Sequence, residues 1–149
     1  MGYNAQDLTP LNPDYPSPLN PVRKEYAIVP FQVARSNTTA FKVAVLPDDA
    51  TILGIRYYNN TAVSNAGTSA TITITATPLG PGSGGQYTLG TYDAKGTATG
   101  SGFISSSTEF NLFRAGAQTG DILIKASYAE TGTASSAGGP WIFLIEYTR

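Results

Sequence analysis

From Lys24 onward, apolar and polar residues alternate with a period of two, and the alternation breaks at turn-forming residues. "EYAIVPFQVAR" (Glu25–Arg35) predicts a strand in which Pro30 marks an edge or a bulge. "AFKVAVL" (Ala40–Leu46) predicts a second, with Phe41, Val43 and Val45 on one face. After "PDDA" comes "TILGIRYYN" (Thr51–Asn59), with Leu53, Ile55 and Tyr57 opposed to Ile52, Gly54, Arg56 and Tyr58. "SATITITAT" (Ser69–Thr77) is the clearest strand, with Ile72, Ile74 and Ala76 facing one way and Thr71, Thr73 and Thr75 the other. The stretch from Pro78 to Ser107 is rich in Gly, Ser and Thr. Short apolar bursts at "QYTLGTY" and "GFI" predict one or two short strands there. "TEFNLF" (Thr108–Phe113) resumes the alternation, and "ILIKASYAE" (Ile122–Glu130) and "PWIFLIEYT" (Pro140–Thr148) close the chain as two strong strands.

About eight strands at roughly ten-residue spacing, with no helical period, predict an all-β fold: an antiparallel β-sandwich or jelly roll. Residues 23–149 form this one domain. Residues 1–22 stand apart as an extended, proline-rich N-terminal arm, for Pro10, Pro13, Pro16, Pro18 and Pro21 all fall there. Each proline fixes its own φ and holds the residue before it out of helix. A polyproline-like rod rises about 3.1 Å per residue, so some twenty residues reach on the order of 60 Å. The arm carries Tyr3, Leu8, Leu11, Tyr15 and Leu19. Apolar groups on a pre-extended backbone lose little entropy on docking, so these five are the expected anchors on a neighbouring molecule.

Composition narrows the chemistry. The chain has 149 residues, nine basic and ten acidic, with no histidine and no cysteine. A Ser–His–Asp or Cys–His nucleophile system therefore cannot be assembled, nor the usual zinc sites. No disulfide or cofactor is expected, and a domain of this size needs neither to be stable. No stripe of Lys and Arg runs along the sequence, which argues against nucleic acid as a partner. No segment approaches 18 apolar residues, which argues against a membrane span. "MGYNAQ" lacks the layout of a signal peptide, and Gln6 stands where a myristoylation site wants Ser or Thr. A protein made in a cytoplasm is expected.

The remaining motifs read as structure. Asp48 and Asp49 are the only adjacent acids, but "LPDDAT" is the vocabulary of a turn between two strands. "GPGSGG" (Gly80–Gly85) matches a dinucleotide-loop pattern in letters, yet a strand rather than a helix follows it. Asn37 and Asn59 begin glycosylation triplets and read as loop residues. Trp141, the one tryptophan, sits in a strand beside Ile142 and Leu144, which points to a core or subunit-interface role. That last strand is apolar on both faces, with Trp141, Phe143 and Ile145 alternating with Ile142 and Leu144. A partner subunit is expected to cover its outer face, with Trp141, Phe143 and Ile145 as the interface residues.

Three stretches, "FKVAVLPDDATILGIRYYNNTA" (Phe41–Ala62), "GTSATITITA" (Gly67–Ala76) and "TGDILIKASYAETGTASSAGGPWIFLIEYTR" (Thr119–Arg149), together resemble the capsid decoration, or cement, proteins of tailed bacteriophages. The resemblance covers about two-thirds of the chain and leaves out the arm and the Gly-rich middle. It implies a jelly-roll body, a homotrimer, and a seat on the outer capsid surface of a virion, with the major capsid protein as partner. It brings no catalytic residues. An alternative is a head-fibre or tail-associated module that binds host glycans, with Trp141 and the loops at Gly80–Gly85 and Gly96–Gly102 as its contact groups. An enzyme is not expected, because the carboxylates are scattered.

Overall fold

A computed structural model of the chain describes residues 26–59, 63, 67–82, 85–95, 100–106 and 120–148. These form nine strands: β1 (Tyr26–Val33), β2 (Phe41–Leu46), β3 (Thr51–Asn59), β4 (Ser69–Pro78), β5 (Tyr87–Asp93), β6 (Gly100–Phe103), β7 (Ser105–Ser106), β8 (Ile122–Thr131) and β9 (Trp141–Thr148). No helix occurs among the described residues. The arm, with Tyr3, Leu8, Leu11, Tyr15 and Leu19, and the strand expected over Thr108–Phe113 lie outside the described residues.

The strands make two antiparallel sheets, one ordered β1-β9-β3-β6 and the other β2-β8-β4-β5-β7. β6 and β7 are one short run that changes sheet at Ile104, whose N–H is held by the Ile55 carbonyl at 2.9 Å. Counting that run as one strand leaves eight. They pair first with last, second with seventh, third with sixth and fourth with fifth, through β1·β9, β2·β8, β3·β6 and β4·β5. This is a long hairpin rolled up into a sandwich, the jelly-roll arrangement.

The core lies where the two inner faces meet. Ala70, Ile72, Ile74 and Ala76 of β4 and Ile122, Ile124, Ala126 and Tyr128 of β8 face Ile52 and Ile55 of β3 and Trp141, Phe143 and Ile145 of β9. Aromatic rings tie the sheets together. Phe31 stacks on Phe143 with centroids 5.3 Å apart, and Phe143 meets Tyr92 of the opposite sheet edge-on at 5.6 Å. Tyr92 also packs on Tyr57 at 4.7 Å, and Tyr128 lies flat on Trp141 at 5.4 Å. Tyr57 runs so close over Gly102, its register partner, that a Cβ there would stand 2.8 Å from the phenol oxygen. A larger residue at Gly102 would have to push the Tyr57 ring aside.

Three strands depart from strict alternation, and in β5 the extra residue is Leu89, between Ile74↔Gly90 and Thr75↔Thr88. β2 pairs with β8 as Lys42↔Lys125 and then Ala44↔Ile124, so Val43 is an extra residue. Beyond it the faces exchange: Leu46 is buried, and Val45, expected inside, is 40% exposed. In β3, Leu53 is the extra residue between Ile52↔Tyr147 and Gly54↔Glu146. Ile52 and Ile55 therefore share the core, and Leu53 stands 41% exposed instead of packing with Ile55 and Tyr57. A β-bulge inserts one residue and so reverses the parity of everything after it.

Candidate binding faces

With the core closed by the inner faces, the surfaces open to a partner are the two outer sheet faces and the loop ends. The outer faces differ in kind. That of β4, β5 and β8 is a carpet of short hydroxylated side chains, with register rows Ser69–Thr131, Asp93–Thr71–Ala129 and Thr91–Thr73–Ser127. Ser69 and Thr131 join their hydroxyls at 2.9 Å. An open hollow on this face is lined by Thr68, Ser69, Thr71, Thr91, Asp93 and Lys95. The Lys95 ammonium donates to the carbonyls of Gly67 and Thr68, and Asp93 accepts from the Lys95 backbone N–H at 3.0 Å.

The outer face of the β1-β9-β3-β6 sheet is apolar. One register row reads Pro30–Leu144–Arg56–Phe103 and the next Gln32–Ile142–Tyr58–Ser101. Ile28 and Tyr26 extend it down β1. Phe103 is 61% exposed, Tyr58 42% and Ile28 46%. A single ion pair crosses the face, from Arg56 Nε to Glu146 Oε1 at 2.5 Å, with the Glu146 carboxylate nearly buried. The Arg56 guanidinium also rests on the Phe103 ring, 4.8 Å from its centroid. That pairing of cation with both carboxylate and ring neutralises the nearly buried Glu146 charge on a mainly apolar face that also carries Gln32 and Ser101.

At the loop end where β8 turns to β9, a polar cluster closes the sandwich. The Tyr128 hydroxyl donates to Glu130 Oε2 at 2.7 Å, and the Ser135 backbone N–H faces both Glu130 oxygens at 3.3 Å. Contacts with Ser135 first, and with the Tyr128 hydroxyl second, hold the Glu130 carboxyl below the ordinary glutamate range. Burial pushes the Tyr128 hydroxyl up, so it stays a proton donor. Arg35 reaches across to the Ser135 carbonyl. Together these bonds make the arrangement a loop clamp.

The residues singled out in the sequence fall as follows. Asp48 and Asp49 sit in a turn closed by Ala50 N–H to Pro47 carbonyl at 3.0 Å. The described part of Gly80–Gly85 belongs to the connection between β4 and β5, with no helix after it. Asn37 uses its Oδ1 to accept from Ala34 N–H at 2.7 Å, and Asn59 is the last residue of β3. Trp141, Phe143 and Ile145 are each fully buried inside the single chain. The expectation that these three form a subunit interface is therefore corrected. Inward parity on β9 spends them on the sandwich core and turns Ile142 and Leu144 to the outer face. Trp141 is likewise out of reach of a sugar.

Arg56, Phe103, Ile28 and Pro30 were not anticipated as surface-forming residues. The signal lay in Glu25–Arg35, where Tyr26, Ile28 and Pro30 on one parity and Ala27, Val29, Phe31 and Val33 on the other are all apolar. A strand apolar on both faces needs cover on both sides. Among the described residues, no group of three or more His, Cys, Asp or Glu is placed to hold a metal ion. No helix among them is long and apolar enough to cross a membrane.

No protein-family model and no curated protein matches the chain. Among solved structures, it is similar to a chain in the structure of infectious bursal disease virus, Gx strain, with a TM-score of 0.48 and 8% identity. The match covers 85% of this chain and 32% of the viral one, so this chain spans about a third of the length of that neighbour.

Proposed function

We propose that this protein is a virion structural component, a capsid decoration or cement protein that binds the outside of a capsid. It would stabilise the shell by clasping neighbouring coat subunits with its proline-rich arm. The observation that carries the reading is the placement of β1: among the described residues, the strand that follows the arm in sequence is the edge of a sheet whose outer face leaves Ile28, Tyr58 and Phe103 exposed. In sequence, the arm thus leads directly into the apolar face.

Other features support the same reading. The sequence resembles cement proteins over the stretches that build β2, β3, β4, β8 and β9. A low-charge β body without His or Cys suits a passive, durable part rather than an enzyme. In a homotrimer, each decoration unit would present three arms, and their combined attachment would exceed that of any one contact. The major capsid protein is the partner this reading requires. The glycan-binding alternative loses its main support with Trp141 in the core.

The test is deletion of residues 1–22, followed by co-sedimentation with undecorated capsids. The folded body is expected to stay in the supernatant while the intact chain pellets with the shells. Equal decoration by both proteins would overturn the arm as the attachment device.

A further inference from the structure

The outer face of the β1-β9-β3-β6 sheet is large for an apolar surface left to water. An aromatic side chain covers about 150–250 Å², and about half of Tyr26, Tyr58 and Phe103 is open, roughly 300 Å² between them. Ile28, Pro30 and Gln32 of β1, Arg56 of β3, and Ile142 and Leu144 of β9 share the face with these rings. Together they bring it to roughly 700 Å², close to the 800 Å² or so that each partner gives to a standard protein contact. A soluble monomer usually leaves open apolar patches of only a few hundred Å². The hydroxylated face of the other sheet has no such need of cover, because Thr71, Thr73 and Thr91 can stand in water.

What the face is made of limits its partner. Among the described residues its charged side chains are Arg56 and Glu146, and they neutralise each other within the sheet. No net charge is left to select an acidic or a basic partner, and none opposes a like charge when the face meets its own image. Tyrosine, phenylalanine and arginine are also the side chains that anchor protein contacts. Two sheets pack face to face about 10 Å apart, at an angle of about 30° that follows from the twist of each. A second copy brings a sheet of identical twist, with identical apolar rows. It is also a partner present wherever this chain is made.

We propose that two copies of this chain pair in solution through the outer faces of their β1-β9-β3-β6 sheets, about a two-fold axis. In such a contact the same patch serves both partners. The rows Pro30–Leu144–Arg56–Phe103 and Gln32–Ile142–Tyr58–Ser101 of one copy lie over the same rows of the other. The result is a stack of four sheets with the two hydroxylated faces outermost. The pairing goes beyond the capsid reading, since it needs no shell. It is also a two-fold contact, whereas a homotrimer closes by a three-fold one.

Sedimentation equilibrium of the full-length protein, without any capsid, tests this. A dimer is expected at micromolar concentration. Tyr58→Ser with Phe103→Ser removes two exposed rings from each copy and should raise the dissociation constant roughly thirtyfold or more. Ile28→Lys, a separate change at an exposed position of the edge strand, should weaken the dimer in the same direction. Thr91→Lys, exposed on the hydroxylated face, should leave it as it is. Circular dichroism checks that each variant keeps its strands. A monomer at micromolar concentration, a trimer, or a dimer that ignores the substitutions at Ile28, Tyr58 and Phe103 would each overturn the proposal. So would a dimer that Thr91→Lys breaks as readily. The co-sedimentation test reads the arm against shells, so its result stands whichever way this one falls.

Discussion

At the scale of single residues, the structure places chemistry where local sequence shows none. Glu130 is ordinary in its own stretch, "SYAETGT", and becomes special because Ser135 and Tyr128 converge on it. Arg35 finds the Ser135 carbonyl from a hundred positions away, a pairing no window of sequence displays. Asp48 and Asn37, by contrast, were legible, since their turn bonds are local. The lowered carboxyl of Glu130 has a consequence with a definite sign. A carboxyl that is more acidic in the folded state contributes stability above the ordinary glutamate pKa of about 4.3 and loses it as pH falls through the folded value. Urea unfolding from neutral pH down to about pH 2 is expected to show the intact protein weakening more steeply on the acid side than Glu130→Gln. Parallel curves for the two proteins would mean that the clamp holds no charge worth linking to folding.

At the scale of elements, strand positions were readable because a half-buried sandwich strand alternates on either side of any bulge. The predicted Thr51–Asn59 coincides with β3, and Ser69–Thr77 falls one residue short of β4. Which face goes inside was readable only up to the first bulge. Nothing in "FKVAVL" or "TILGIRYY" marks Val43 or Leu53 as the extra residue, because a bulge is set by the partner strand and not by side-chain type. The same limit explains β9: its two apolar faces were visible, but the sheet decides which one is core. A pair of substitutions checks the β3 assignment. Ile52→Ala should cost about 2–5 kcal/mol, as deletion of a fully buried aliphatic side chain does. Leu53→Ala, one position on and half in solvent, should cost well under half as much in the same denaturant titration. Equal losses would place Leu53 in the core and remove the bulge.

At the scale of the molecule, the rolled topology makes the two chain ends unequal. β9 lies between β1 and β3 and brings Trp141, Phe143 and Ile145 to the core, so removing it strips β1 of the one strand it pairs with among the described residues and opens one layer of the sandwich. The arm expected over residues 1–22 lies outside the described residues, and its five anchors are read as contacts to another molecule. Deleting residues 141–149 is therefore expected to abolish cooperative thermal unfolding, read by circular dichroism at the strand band. Deleting residues 1–22 from dilute protein should leave both the midpoint and the sharpness of the transition unchanged. The first strand must also wait for the last before it can pair, so folding is dominated by contacts distant in sequence and belongs with the slow, millisecond-to-second β class. A body of this kind is expensive to open once closed, because no strand can leave without breaking a layer. If instead the arm deletion lowered the midpoint at concentrations too dilute for copies to meet, the arm would belong to its own body. The clasp would then lose the tether it requires.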